Sequence, residues 1–203
     1  MSTYKVVALF GPSSAGKDTL AKHLKEIDWD TGKFKLNNVV SCTTRPPRDY
    51  EENGKDYFFI TEKQFLIRVL DGRMLEATCF RDWYYGTSME QLEVNKINVG
   101  VFNIEGILNL MENPMIDVYP IYVECDDKTR LMRSLLREEN PDCEEICRRF
   151  LADKEDFKWL YDENEEPPFE YKTAKSTAPR SLYYYILNTA KLDNEDRDIE
   201  DYD

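Results

Sequence analysis

Five consecutive apolar residues, Val6-Val7-Ala8-Leu9-Phe10, interrupt a polar start. A run this short and this apolar predicts a strand buried on both faces, as in a parallel sheet. After the stretch Gly11-Pro12-Ser13-Ser14-Ala15-Gly16-Lys17-Asp18-Thr19, a helical pattern opens at Leu20-Ala21-Lys22-His23-Leu24-Lys25. Residues 29–38 are mostly polar and read as a loop, and Val39-Val40-Ser41-Cys42 fits a second buried strand. Pro46-Pro47 and the turn pair Asn53-Gly54 disfavour regular structure up to the β-prone Tyr57-Phe58-Phe59-Ile60. Thr61 and Gln64 form a capping box for a helix that Gly72 ends. Strands are predicted at 74–80 and 83–87, and Ser88 with Gln91 forms a second box before a helix to about Lys96. A buried strand at 97–104, a short helix at 105–111 and a strand at 118–125 follow. Asp126 caps a helix carrying Arg130, Arg133 and Arg137, which Pro141 breaks; Asp142 with Glu145 opens another, to about Tyr161. Residues 162–179, with three prolines and many acids, predict no regular element, and 182–187 reads as the last strand. This alternation, with a strand-rich middle, predicts an α/β fold: a parallel sheet flanked by helices, with an inserted mixed β/α lobe at about 41–90.

Composition narrows the function. A chain of 203 residues predicts a single domain over 1–203, and 41% apolar with 33% charged residues describes a soluble protein. No apolar run approaches the roughly 20 residues that span a bilayer. The N-terminal stretch lacks signal-peptide architecture, so a cytoplasmic protein with no membrane partner is expected. A net charge of −13 argues against a nucleic-acid partner. Cysteines at 42, 79, 125, 143 and 147 form no CxxC pair, and His23 is the one histidine, which argues against zinc, a disulfide framework and a histidine-dependent triad.

The chemistry concentrates in two places. Four residues between Gly11 and Gly16 let the backbone curl so that successive N–H groups point at anionic oxygens, while the following helix adds its positive end. Strand, glycine-bounded loop and helix together predict nucleotide phosphate binding, with Lys17 reaching the β- and γ-phosphates. Asp18 stands where this motif has a Mg²⁺-ligating Ser or Thr, and its carboxylate suits the same hard cation. In the second place, Arg45 and Arg48 supply two planar forks for phosphate from a proline-containing loop, with hydroxyls from Tyr57 and Tyr85. Glu76 adds a carboxylate, which selects a group with adjacent N–H donors such as the N1 and exocyclic-amine edge of guanine.

Ser41-Cys42-Thr43-Thr44-Arg45-Pro46-Pro47-Arg48, then Glu51, Gly54, Asp56-Tyr57, Leu75-Glu76 and Tyr84-Tyr85-Gly86-Thr87 resemble the GMP-binding region of guanylate kinases. Together with the loop at 11–17, the resemblance runs from residue 4 to about 160. It implies a P-loop NTP-hydrolase-like core (4–40, 91–136 and 150–192), an NMP-binding lobe (41–90), a helical lid (about 137–149) and an acidic tail (193–203). By the same resemblance Ser13, Ser14, Ala15, Gly16, Lys17, Asp18 and Thr19 would hold ATP. Arg45, Arg48, Tyr57 and Tyr85 would hold the phosphate of GMP or dGMP, while Ser41, Glu76 and Thr87 would read its base. Arg137 and Arg149 look like lid arginines that act with Lys17 and Arg45 on the transferring group. Departures accompany the likeness. The family's Asp-Ile-Asp-x-Gln-Gly reads Val101-Phe102-Asn103-Ile104-Glu105-Gly106, so Asn103 takes one acidic place at the base and Val101 the other. The lid's Arg-Gly is Arg137-Glu138, and Asn188 is the candidate for an asparagine that touches adenine. The resemblance thus implies a divergent ATP:(d)GMP phosphotransferase using Mg²⁺, with small-molecule substrates, as monomer or homodimer. Two other readings stand beside it: a monophosphate kinase with shifted or broader base preference, and a catalytically silent protein-binding module of this fold. Retention of Lys17, Arg45 and Arg48 argues against the last.

Overall fold

The apolar N-terminal run becomes β1 (Tyr4–Phe10), and the glycine-bounded loop leads into α1 (Lys17–Asp30). Next come β2 (Leu36–Asn38), β3 (Cys42–Thr43), β4 (Phe58–Phe59), α2 (Glu62–Leu70), β5 (Met74–Phe80) and β6 (Trp83–Ser88). The chain continues through β7 (Ile97–Val101), α3 (Ile104–Met111), β8 (Ile116–Glu124), α4 (Asp127–Leu136), α5 (Cys143–Asp156), β9 (Lys172–Lys175) and α6 (Pro179–Thr189). This computed structural model describes residues 3–47, 51–80, 82–137 and 139–190; Arg48 and the acidic stretch at 193–203 lie outside the described residues.

Five strands make an all-parallel sheet in the order β2-β7-β1-β8-β9, with β1 at its centre. Side chains alternate across a strand, so β1 feeds two cores. Val7 and Leu9 pack with Leu20 and Leu24 of α1 and Leu182, Tyr183 and Ile186 of α6. Val6, Ala8 and Phe10 pack on the opposite face with Ile107 and Leu110 of α3 and with Phe157. Burial on both faces explains why β1 is apolar at every position from Val6 to Phe10. The phosphate-loop sequence therefore leaves the C-terminal end of the central strand, where open parallel sheets form their clefts.

The second sheet is mixed, in the order β4-β3-β6-β5, with β3 and β4 parallel and the other pairs antiparallel. Phe65 of α2 is buried against it and stacks on Tyr84 at 5.4 Å. The expected capping box of α2 is present in both halves: Thr61 accepts from the Gln64 N–H, and Gln64 accepts from the Thr61 N–H. The register of β5 against β6 slips between Met74 and Glu76, a local irregularity of the kind that re-aims a side chain. Beyond the slip, Glu76 pairs with Thr87.

Several expected elements are corrected. Residues 182–187 belong to helix α6 and not to a strand. Leu182, Tyr183, Ile186 and Ala190 are buried at a helical spacing, Tyr184 and Tyr185 are exposed, and Pro179 starts the first turn. The last strand is β9, inside the segment that predicted nothing regular. The single strand expected at 39–42 is a crossing between sheets: β2 pairs with β7 just before it, and Cys42 opens β3 in the mixed sheet. α1 runs to Asp30, and β2 lies within the stretch read as loop. Ser88 heads only a 3₁₀ turn at Met89–Gln91; its buried hydroxyl accepts from Arg68 Nη1 at 3.0 Å and caps nothing. α5 ends at Asp156, with a 3₁₀ turn at Lys158–Leu160 beyond it. Among the described residues no helix is long and apolar enough to cross a membrane.

Candidate active site

The loop after β1 is built on backbone that ordinary residues avoid. Gly11 has φ +142°, and a Cβ there would stand 2.9 Å from the Val123 carbonyl oxygen of β8, so both conformation and space require glycine. Ser14 and Gly16 also have positive φ, at 61° and 97°. Lys17 curls back over the loop and donates from Nζ to the carbonyls of Gly11 and Pro12, each at 2.9 Å. Burial lowers the pKa of its ammonium, while the charges of Asp18 and Asp153 work to raise it. Gly16 is the N-cap of α1, and no side chain caps that end, so the first-turn amides are left for an anion.

The loop is gripped from two helices. Ser13 donates through its backbone N–H (3.0 Å) and its hydroxyl (3.2 Å) to the carboxylate of Asp153 on α5. Ser14 Oγ lies 2.7 Å from Ser134 Oγ on α4. Arg133 Nη1 donates to the Ala15 carbonyl at 3.2 Å, and Arg137 Nη2 reaches Ser14 Oγ at 3.4 Å. Helical spacing expected Arg130, Arg133 and Arg137 to face the cleft together. All three line it; the last two contact the loop, while Arg130 is 2% exposed and pairs with Asp153 at 2.7 Å and Asp127 at 3.0 Å. Arg149 Nε pairs with Glu145 at 2.7 Å, as Arg148 does at 2.9 Å.

The facing wall comes from the mixed sheet and the loop that follows β3. Arg45 donates to Glu51 Oε1 at 2.8 Å and to the Pro46 carbonyl at 2.7 Å, with its guanidinium 5.7 Å from the ring centre of Tyr57. Tyr57 and Tyr85 meet edge to face at 6.1 Å. Burial pushes the Tyr57 hydroxyl well above its usual range, with Asp18 adding to the shift. Asp18, Lys17 and Tyr57 line the same cleft.

Glu76 is 8% exposed, and burial raises its carboxyl to about 7, against hydrogen bonding from Thr87. Ser41 and Thr87 share a hydroxyl–hydroxyl bond of 3.0 Å. The amide of Asn103 is engaged at both ends: Oδ1 accepts from the Gly106 N–H at 2.7 Å as N-cap of α3, and Nδ2 donates to Thr78 Oγ1 at 3.3 Å. A Cβ on Gly106 would stand 3.0 Å from Asn103 Oδ1 and 3.3 Å from Glu76 Oε2, so the missing side chain makes room for both.

One cleft of about 2880 Å³ takes in both walls. Of the residues singled out from sequence, Ser13, Ser14, Gly16, Lys17, Asp18, Thr19, Ser41, Arg45, Tyr57, Glu76, Tyr85, Asn103, Arg137 and Arg149 line it. Ala15 and Thr87 are buried behind the surface, and Arg48 lies outside the described residues. Asn188 is exposed on α6 and does not line the cleft; Ser176, Thr177 and Pro179, from the turn into that helix, do. Asp153 and Ser134 were missed by sequence reasoning, since nothing local marks a residue that acts some 120 to 140 positions away from its partner. No group of three or more His, Cys, Asp or Glu that could hold a metal occurs among the described residues. Asp18 beside Lys17 fits Mg²⁺ in the manner usual for that ion, one carboxylate with phosphate oxygens and water completing the shell.

Comparison with known proteins agrees with this geometry. The family model described as Guanylate kinase matches residues 3–164. The guanylate kinase of Homo sapiens is 35% identical over 157 residues, covering 75% of this chain and 76% of that protein. That of Thermotoga maritima is 36% identical over 141 residues, covering 66% and 63%. The crystal structure of guanylate kinase from Anaplasma phagocytophilum shares the fold, with a TM-score of 0.58 at 21% identity over 94% of this chain and 86% of that one. With a phosphate loop and an arginine–tyrosine wall facing across one cleft, and a family match over most of its length, the chain belongs to the guanylate kinase family.

Proposed function

We propose that the chain transfers the γ-phosphoryl group of ATP to GMP or dGMP, and that the residues lining the cleft divide this work between its two walls. The observation that carries the reading is the single cleft lined on one side by Lys17 and Asp18 of the phosphate loop and on the other by Arg45, Tyr57, Glu76 and Tyr85, so donor and acceptor sites adjoin. The acceptor is already an anionic phosphate oxygen, so no general base is needed. Catalysis then rests on alignment, charge stabilisation and exclusion of water.

On the donor side, the loop amides from Ser13 to Asp18 cradle the ATP phosphates, and Lys17 exchanges its carbonyl partners for phosphate oxygens. On the acceptor side, Arg45 is held by Glu51, so its fork is oriented before substrate arrives. Burial keeps the Tyr57 hydroxyl protonated, and Tyr57 and Tyr85 donate to the same phosphate. Ser41, Thr87 and ionised Glu76 read the guanine edge. Arg137 and Arg149 close on the transferring group from a lid at about 137–149, and the lobe at 41–90 closes from the other side. Asp18 would hold Mg²⁺, which supplies charge neutralisation across the phosphates when bound.

A silent binding module has no use for Lys17 and Arg45 facing each other, and the relatives over most of the chain are guanylate kinases. The test is ADP release from ATP and Mg²⁺ against all common ribo- and deoxynucleoside monophosphates. Turnover confined to GMP and dGMP is expected. Turnover on another base would overturn the assignment of Ser41 and Glu76, and no turnover by folded protein would overturn the reading altogether.

A further inference from the structure

Asp153 is the residue where the phosphate loop, the lid-bearing helix and a buried cation meet. Its side chain is nearly enclosed, with the residue 9% exposed. Oδ2 accepts from Arg130 Nη1 at 2.7 Å and from the Ser13 N–H at 3.0 Å, and Oδ1 accepts from the Ser13 hydroxyl at 3.2 Å. Arg130 is fixed in turn, with Nε on Asp127 at 3.0 Å and its guanidinium 4.0 Å above the ring of Phe150. Lys154 takes the other oxygen of Asp127 at 2.6 Å. α4 and α5 are thereby locked to each other and to the loop.

Two physical points make this more than packing. The loop holds Ser14, a non-glycine residue, at φ 61°, a conformation that its surroundings must fix. A carboxylate beside a phosphate site would repel the ligand unless its charge were matched, and Arg130 matches it. Arg149 stands one helical turn before Asp153, on the same face of α5.

We propose that Asp153 is a positioning residue for the phosphoryl donor: it holds the loop at Ser13 in its anion-binding form and ties the placement of Arg149 to that loop. This rests on the reading of the cleft as an ATP site. The carboxylate of Asp153 is taken up by Ser13 and Arg130, so its effect passes through Ser13 and α5.

The test compares Asp153→Asn and Ser13→Ala with the parent chain, by steady-state kinetics in ATP and in GMP and by calorimetric titration with ATP in the absence of GMP. Asp153→Asn is expected to raise KM and Kd for ATP about tenfold while KM for GMP stays within about twofold. Ser13→Ala, which leaves the Arg130 pair intact, is expected to raise both ATP constants about threefold. A purely structural role would lower the active fraction and leave both KM values unchanged. ATP constants within about twofold of the parent in either folded variant would overturn the proposal. Should Asp153→Asn fail to fold, Asp153→Glu takes its place: it keeps a charge opposite Arg130 but displaces the bonds to Ser13, and the same rise in the ATP constants is expected. A parent that turns over GMP and binds ATP, with unaffected variants, sinks only the role of Asp153. A parent that neither binds ATP nor turns over sinks the donor-site reading, and this proposal with it.

Discussion

Glu76 is a buried carboxyl with two opposed demands on it. Guanine presents donors, so the role proposed for Glu76 needs the ionised form, whereas burial favours the neutral one and raises the group from 4.5 to about 7. KM for GMP should therefore climb as pH falls below about 7, by up to about tenfold per unit in steady-state profiles, while KM for ATP holds level. Stability runs the other way. The contribution of Glu76 is fully present below 4.5, where both folded and unfolded chains bind the proton, and is lost as pH rises through about 7. Glu76→Gln should remove the acid limb of the GMP profile, raise KM for GMP by roughly ten- to a hundredfold, and melt higher than the parent above pH 7. A variant that keeps the pH limb would show that another group causes it. The type and place of Glu76 were legible in sequence, because a carboxylate near phosphate-binding arginines and tyrosines narrows the choice of base. Its protonation was not, since that depends on enclosure by β6 and by the start of α3.

The legibility of elements followed how local their causes are. The box at Thr61 and Gln64 and the caps at Asp126 and Asp142 formed where their spacing placed them, because each needs only four adjacent residues. Ser88 had the same spacing, but its hydroxyl is held by Arg68, a tertiary competitor that the local pattern does not show. The run Tyr183-Tyr184-Tyr185-Ile186 has strand composition, yet α1 and the sheet bury it at a helical period. β9 is a mostly exposed edge strand with lysines at both ends, so it lacks the apolar run that marks β1. Placing residue 188 on α6 changes what it can touch. Asn188→Ala should leave KM for ATP within about twofold of the parent, because an exposed helix position away from the cleft makes no ligand bond. A tenfold rise in that KM would instead put Asn188 at the adenine.

At the scale of the molecule, the ends of the chain are joined by one buried carboxylate. Asp28 on α1 accepts from the N–H groups of Lys35 and Leu36 at the start of β2, and from the hydroxyl of Tyr183 on α6 at 2.9 Å. Thr31 shares that hydroxyl at 3.0 Å. Tyr183→Phe deletes a buried donor and strands part of that carboxylate, so unfolding free energy should fall by about 1–3 kcal/mol, with both KM values unmoved. Denaturant titration measures the first and kinetics the second; an unchanged midpoint would mean that water replaces the hydroxyl. The strand order carries a consequence for biosynthesis. β1 is translated first, yet Lys5 must wait for Ile97 on one side and Asp117 on the other. At roughly 5–20 residues per second, the ribosome leaves the most apolar strand of the protein without neighbours for several seconds. Pairings so distant in sequence are also the slow ones to form. The nascent chain therefore passes through an interval in which Val6 to Phe10 is a client for chaperones and a seed for aggregation, and that interval closes only after more than half of the chain has been made.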